Sequence, residues 1–118
     1  MKPELLIKRA YEKPSKTDGY RVLVDRLWPR GVKKEAADID DWQKELAPST
    51  ELRKWFGHDP ALWVEFQKKY TAELKKNEAV DTFVEGNADR KKITLVYGAK
   101  DTAHTHALVL QQFLESRF

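Results

Sequence analysis

Residues 20–31 read Tyr20-Arg21-Val22-Leu23-Val24-Asp25-Arg26-Leu27-Trp28-Pro29-Arg30-Gly31, and this stretch decides the fold. Val22-Leu23-Val24 is an unbroken apolar run with no polar alternation. That is the pattern of a strand buried on both faces, as in a parallel sheet. It predicts a strand over Tyr20–Arg26, ended by Pro29 and Gly31. Upstream, Leu5-Leu6-Ile7 predicts a strand reaching Arg9, and the Pro- and Gly-bearing stretch 11–19 a loop. Downstream, Ile93-Thr94-Leu95-Val96-Tyr97 predicts a strand over Lys92–Tyr97, broken at Gly98.

The segments between these strands have helical spacing. Ile39, Trp42 and Leu46 stand at i, i+3 and i+7, which favours a helix and leaves an extended segment as the alternative. Ser49 fits an N-cap for a short helix through Phe56 closed by Gly57. Asp59-Pro60 starts the next helix, in which Trp63, Phe66, Tyr70 and Leu74 make one apolar face. Trp55 and Trp63 are expected in the core. A further helix carries Ala79, Val80, Phe83 and Val84 and ends at Gly86; a last one, capped by Asp101 or Thr102, runs to about Ser116. Strands alternating with helices predict a small three-layer α/β domain, a mainly parallel sheet flanked by helices, as one compact unit over residues 1–118.

Composition narrows the function classes. The chain has 118 residues, no cysteine, and 22 Lys+Arg against 19 Asp+Glu. Disulfides, thiolate chemistry and Cys-ligated zinc are excluded. No apolar run approaches the roughly 20 residues of a membrane-spanning helix, and the N-terminal stretch has no secretory apolar region. A cytoplasmic protein with no membrane partner is expected. The net charge of +3 conceals an asymmetry: residues 1–34 balance to +6, residues 35–89 to −6 and residues 90–118 to +3. The basic ends hold the strands, so the sheet end of the molecule is expected to attract anions.

Ligands of open α/β sheets bind beyond the carboxyl ends of the strands. Two such ends are informative, Asp25-Arg26-Leu27-Trp28-Pro29-Arg30-Gly31 and Tyr97-Gly98-Ala99-Lys100-Asp101-Thr102. Placed side by side, they would cluster Arg26, Arg30 and Lys100 near a helix N-terminus, with Gly98 letting backbone approach a ligand closely. Trp28 and Tyr97 could stack on a base. Arg53 and His58 could extend the site. His106 falls within the apolar stripe Ala103, Ala107, Leu110, Phe113, Leu114 and Phe118, so it points inward, either to a structural hydrogen bond or as a titrating group beside Asp25. His104 and His106 as a metal pair would lie on different helix faces with no third ligand, so no metal is expected. Ser49 lacks a nucleophile elbow, and neither a phosphate-binding GxxxxGK[ST] loop nor a dinucleotide GxGxxG is present, so no cofactor is expected.

These blocks resemble the domain of unknown function 488 family, in its short YeaO-like form. The resemblance rests on Arg21 to Gly31, on Leu46-Ala47-Pro48-Ser49 with Leu52-Arg53 and Trp55-Phe56-Gly57-His58, and on Tyr97-Gly98-Ala99-Lys100-Asp101 followed by His106-Ala107. Thr105 departs from it, since the resemblance implies Asn before the histidine. It implies a compact α/β domain of a bacterial-type cytoplasm and assigns no activity.

Three function classes are therefore open. One is a binding module for a phosphate-bearing ligand, nucleotide or nucleic acid, held by Arg26, Trp28, Arg30, Arg53, Tyr97, Gly98 and Lys100. Another is a small enzyme acting on a phosphorylated or nucleoside-like substrate, with Asp25 and His106 as acid and base. The third is a subunit docking a partner protein through an apolar patch around Trp42 or Phe118.

Overall fold

A computed structural model describes residues 2–118. Its centre is a four-stranded sheet of β1 (Glu4–Arg9), β2 (Tyr20–Leu23), β3 (Asp41–Trp42) and β4 (Lys92–Tyr97) in the order β1-β4-β2-β3. Each neighbouring pair is parallel. The helices are α1 (Lys34–Ala37), α2 (Thr50–Phe56), α3 (Trp63–Lys75), α4 (Glu78–Asn87) and α5 (His106–Arg117).

The pleat of the two inner strands sorts side chains to two unequal cores. Val22 and Val24 with Ile93, Leu95 and Tyr97 face the larger core, built with Leu52 and Phe56 of α2, Phe66, Tyr70 and Leu74 of α3, Val80 and Phe83 of α4, and Ala107, Leu110 and Leu114 of α5. Leu23 and Val96 face the other way, under Trp28, Val32, Ile39 and Trp42. One face thus carries four helices. The other carries α1, loops and a polar knot. In that knot the Arg21 guanidinium, 2% exposed, donates to Asp18 Oδ2 at 2.6 Å and to the Ala37 carbonyl at 2.9 Å, while Lys8 Nζ reaches Asp18 at 3.2 Å. Every member is bonded, which is what permits charge at this depth.

Several elements depart from the expectations. The segment from Ile39 to Leu46 is not a helix. Asp41 and Trp42 pair with Val22 and Leu23 as the edge strand, and a single 3₁₀ turn, Lys44–Leu46, follows. The i, i+3, i+7 spacing arose because Ile39 and Trp42 serve the small core and Leu46 the large one. β2 stops at Leu23, although the Val24 N–H still donates to the Val96 carbonyl at 2.9 Å; Asp25 then turns its carboxylate toward the neighbouring strand's end. Gly86 lies inside α4 rather than ending it. Trp55 is 41% exposed, with Lys69 over its ring, so of the two tryptophans only Trp63 packs against the core.

The last helix begins later than expected. Asp101 Oδ1 accepts from the Ala103 and His104 amides, but this closes only a turn. Thr105 is extended and caps α5 instead, its hydroxyl accepting from the Ala107 amide, so His106 is the first helical residue. Other caps stand as expected: Ser49 accepts from the Leu52 amide, Gly57 closes α2 in the left-handed region at φ 53°, and Asp59 accepts from the Ala61 amide ahead of α3.

Candidate anion-binding cleft

β2 and β4 are neighbours in the sheet, so the loops that leave their carboxyl ends lie together. The decisive contact is between Asp25 and Gly98: the Gly98 amide donates to Asp25 Oδ2 at 2.8 Å. A Cβ on Gly98 would lie 2.9 Å from that same oxygen and 3.3 Å from Pro29 Cβ. The glycine therefore permits a close approach to Asp25 and Pro29, and it also lines the cleft. Around this joint opens a cleft of about 280 Å³.

Asp25 and His106 meet at its base. His106 Nε2 donates to the Val24 carbonyl at 3.0 Å and stands 3.4 Å from Asp25 Oδ1. A carbonyl can only accept, so the Nε2 proton is fixed and neutral His106 keeps Nδ1 as its acceptor. Burial pulls the imidazole below its ordinary value, against the pull of the Asp25 charge and the Val24 bond. Burial likewise pushes the Asp25 carboxyl up, with His106, the Gly98 amide, Arg53 and His58 pulling the other way. Among the described residues Asp25 Oδ1 has no hydrogen-bond partner and neither does Arg53 Nε, although both atoms are buried. The aromatic line Phe56, Phe66 and Tyr70 backs the site: Phe56 stacks on Phe66 at 4.3 Å, and Tyr70 meets the His106 ring edge-on at 6.1 Å.

Three guanidinium side chains line the cleft, Arg26, Arg30 and Arg53, against the single carboxylate of Asp25. Arg26 donates Nε to the Pro48 carbonyl and a terminal nitrogen to the Ala47 carbonyl, both at 3.2 Å, which ties the 47–48 turn to the end of β2. Arg30 is exposed, and its carbonyl accepts from the Tyr11 hydroxyl at 2.8 Å. Trp28 lines the cleft, but its Nε1 donates to the Val32 carbonyl and its ring meets Trp42 edge-on at 5.4 Å. All three histidines of the chain, His58, His104 and His106, border the same space. No group of metal-ligating side chains is found among the described residues.

Two expected members lie elsewhere. The Tyr97 side chain alternates into the large core and is 2% exposed, because its strand position faces the helices. Lys100 is exposed and does not border the cleft, since the chain has already turned outward to the Asp101 cap. Conversely, Tyr11 and Leu27 line the cleft without having been singled out, and so does His104, which the sequence offered only as half of a metal pair. Tyr11 was findable: it follows β1, so the carboxyl-end rule applied to a third strand would have included it. The apolar residues offered as a docking patch are partly buried, Trp42 against the small core and Phe118 against the large one, where its ring meets Phe83.

The family model described as the inactive DUF488-N3 subclade matches residues 4–118. The chain belongs to the DUF488 family. Within it, the chain is similar to the uncharacterized protein YeaO of Escherichia coli (strain K12), 46% identical over 109 residues, covering 92% of this chain and 95% of the relative. It is also similar to the uncharacterized protein Rv3073c of Mycobacterium tuberculosis (strain ATCC 25618 / H37Rv), 39% identical over 111 residues, covering 94% and 93%. No solved structure matches the chain at a significant level. The blocks that carried the DUF488 resemblance supply most of the cleft wall: Asp25 to Arg30, Ala47-Pro48, Arg53, Phe56 and His58, and Gly98 with His106. Thr105, the departure from the DUF488 pattern, fills the N-cap role that Asn also fills, so the helix start is kept. Among the described residues no helix is long and apolar enough to cross a membrane.

Proposed function

We propose that this cleft binds a phosphate-bearing small molecule and does not turn it over. The observation that carries the reading is the charge of the wall: three guanidinium groups against one carboxylate, with a buried Arg53 N–H that has no acceptor among the described residues. Guanidinium forks match phosphate oxygens in charge and geometry. The N-terminus of α5 borders the cleft through Thr105 and His106, and its dipole adds the same preference. The volume, near the lower end of ligand pockets at roughly 300 Å³, suits a small molecule better than a length of duplex. The matched subclade is described as inactive, which favours binding over catalysis.

Chemical-shift titration with inorganic phosphate reads affinities into the millimolar range and tests this directly. Arg53→Ala should weaken binding about tenfold, the worth of one charge-assisted hydrogen bond. Lys100→Ala should leave it unchanged. Absence of saturable shifts around the cleft, or equal affinity in Arg53→Ala, would refute the proposal. One observation favours an enzyme instead, the 3.4 Å approach of His106 Nε2 to Asp25 Oδ1. Turnover of a phosphate ester by the wild type, lost in Asp25→Asn, would shift the assignment to acid–base catalysis.

A further inference from the structure

Four large apolar side chains are markedly exposed among the described residues: Tyr11 at 50%, Leu27 at 63%, Trp55 at 41% and Val64 at 64%. Two of them, Tyr11 and Leu27, border the cleft, and they reach it from different strand ends, β1 and β2. Tyr11 is not a loose surface ring. Its hydroxyl donates to the Arg30 carbonyl at 2.8 Å, and the Arg9 guanidinium sits 4.9 Å from the ring centroid. Arg9 is itself tied by Nε to the Ala99 carbonyl at 2.9 Å. The ring is thus held as a half-exposed plate beside the cationic cleft. Two exposed apolar side chains bordering one cleft offer a surface that a flat apolar group of a ligand would cover.

Resting on the reading of the cleft as a phosphate site, we propose that its ligand is a phosphate monoester bearing a flat aromatic group, of the nucleoside monophosphate class. The phosphate lies inward, toward Arg53 and Arg26. The ring lies at the mouth against Tyr11 and Leu27. The depth of the residues sets this order, since Arg53 Nε is buried whereas Tyr11 and Leu27 are exposed. Base–aromatic stacking depends little on the identity of the base, so the class is set by the ring and its phosphate together.

The test titrates wild type, Tyr11→Phe and the double variant Tyr11→Ser/Leu27→Ser with adenosine 5′-monophosphate, inorganic phosphate and adenosine. Wild type should bind the monophosphate about tenfold more tightly than phosphate, the worth of one stack, and adenosine alone more weakly. The double variant should bind the monophosphate no better than phosphate, with its phosphate affinity unchanged; Tyr11→Phe keeps the ring but loses its tie to the Arg30 carbonyl, so its affinity for the monophosphate should fall between those of wild type and the double variant. Both side chains are exposed, so the melting temperature should hold; if the double variant unfolds, Leu27→Ser alone carries the comparison. Equal wild-type affinity for monophosphate and phosphate overturns this inference while leaving the phosphate site standing. Absence of binding by either ligand overturns both. Salt-sensitive binding of an oligonucleotide without saturable monophosphate binding also overturns it, in favour of a polymer.

Discussion

Gly98→Ala tests the joint on which the cleft depends. The Gly98 backbone lies outside the left-handed region, so alanine meets no conformational penalty and the cost is contact alone. The new methyl would sit 2.9 Å from Asp25 Oδ2 and 3.3 and 3.4 Å from Pro29 Cβ and Cγ. The proline ring is rigid, so the carboxylate must move. Moving it breaks the 2.8 Å bond from the Gly98 amide. Overpacking costs about 1–3 kcal/mol, and a hydrogen bond to a charged group is worth about 1.5–3 kcal/mol. Relief of one loss incurs the other, so the two do not add, and the expected destabilisation is about 2–3 kcal/mol. For a domain of this size that is a fall in melting temperature of roughly 8–12 °C. Urea unfolding of four proteins, wild type, Gly98→Ala, Asp25→Ala and the double variant, isolates the cause. In the Asp25→Ala background the glycine substitution should cost only about 1 kcal/mol, the residual crowding against Pro29. An equal loss in both backgrounds would refute the account, because the clash would then not involve the carboxylate.

Two further outcomes follow from the packing and the charges. Phe66→Ala should cost about 3–5 kcal/mol in denaturant unfolding, because Phe66 is 1% exposed and stacked on Phe56; a loss below about 1 kcal/mol would mean that the apolar face of α3 packs elsewhere. The Asp18 carboxyl is held below its ordinary value of 3.8: burial pushes it up, but the Ser15 amide, Lys8 and Arg21 outweigh burial. Its stabilisation is therefore present above that value and lost as pH falls through the lowered one. Asp18→Asn should cost about 3 kcal/mol near neutrality by leaving the buried Arg21 charge without its carboxylate, and the gap to wild type in melting temperature should narrow below about pH 4; a gap independent of pH would remove Asp18 from the stability balance.

The sequence by itself determined the parallel sheet and its three longer strands, since Val22-Leu23-Val24 and Ile93 to Tyr97 are too continuously apolar to face water on either side. It also determined the Ser49 and Asp59 caps, the apolar face of α3, and the gathering of Asp25, Arg26, Arg30, Arg53 and His106 around one cleft at the carboxyl ends. Those signals are local: periodicity, capping chemistry, and the rule that strand ends carry function. Tertiary structure alone decided the rest. Asp41-Trp42 became a strand because the open edge of β2 was there to pair with, which no spacing within 39–46 encodes. Tyr97 went to the core and Lys100 to solvent because the pleat of β4 and the turn at Asp101 set side-chain direction, and both depend on what packs alongside. Tyr11, Leu27 and His104 joined the cleft because three chain segments far apart in sequence end at one edge of the sheet. Proximity between residues 11, 27 and 104 is a property of the strand order β1-β4-β2, and strand order is set by long-range pairing rather than by any local run of residues.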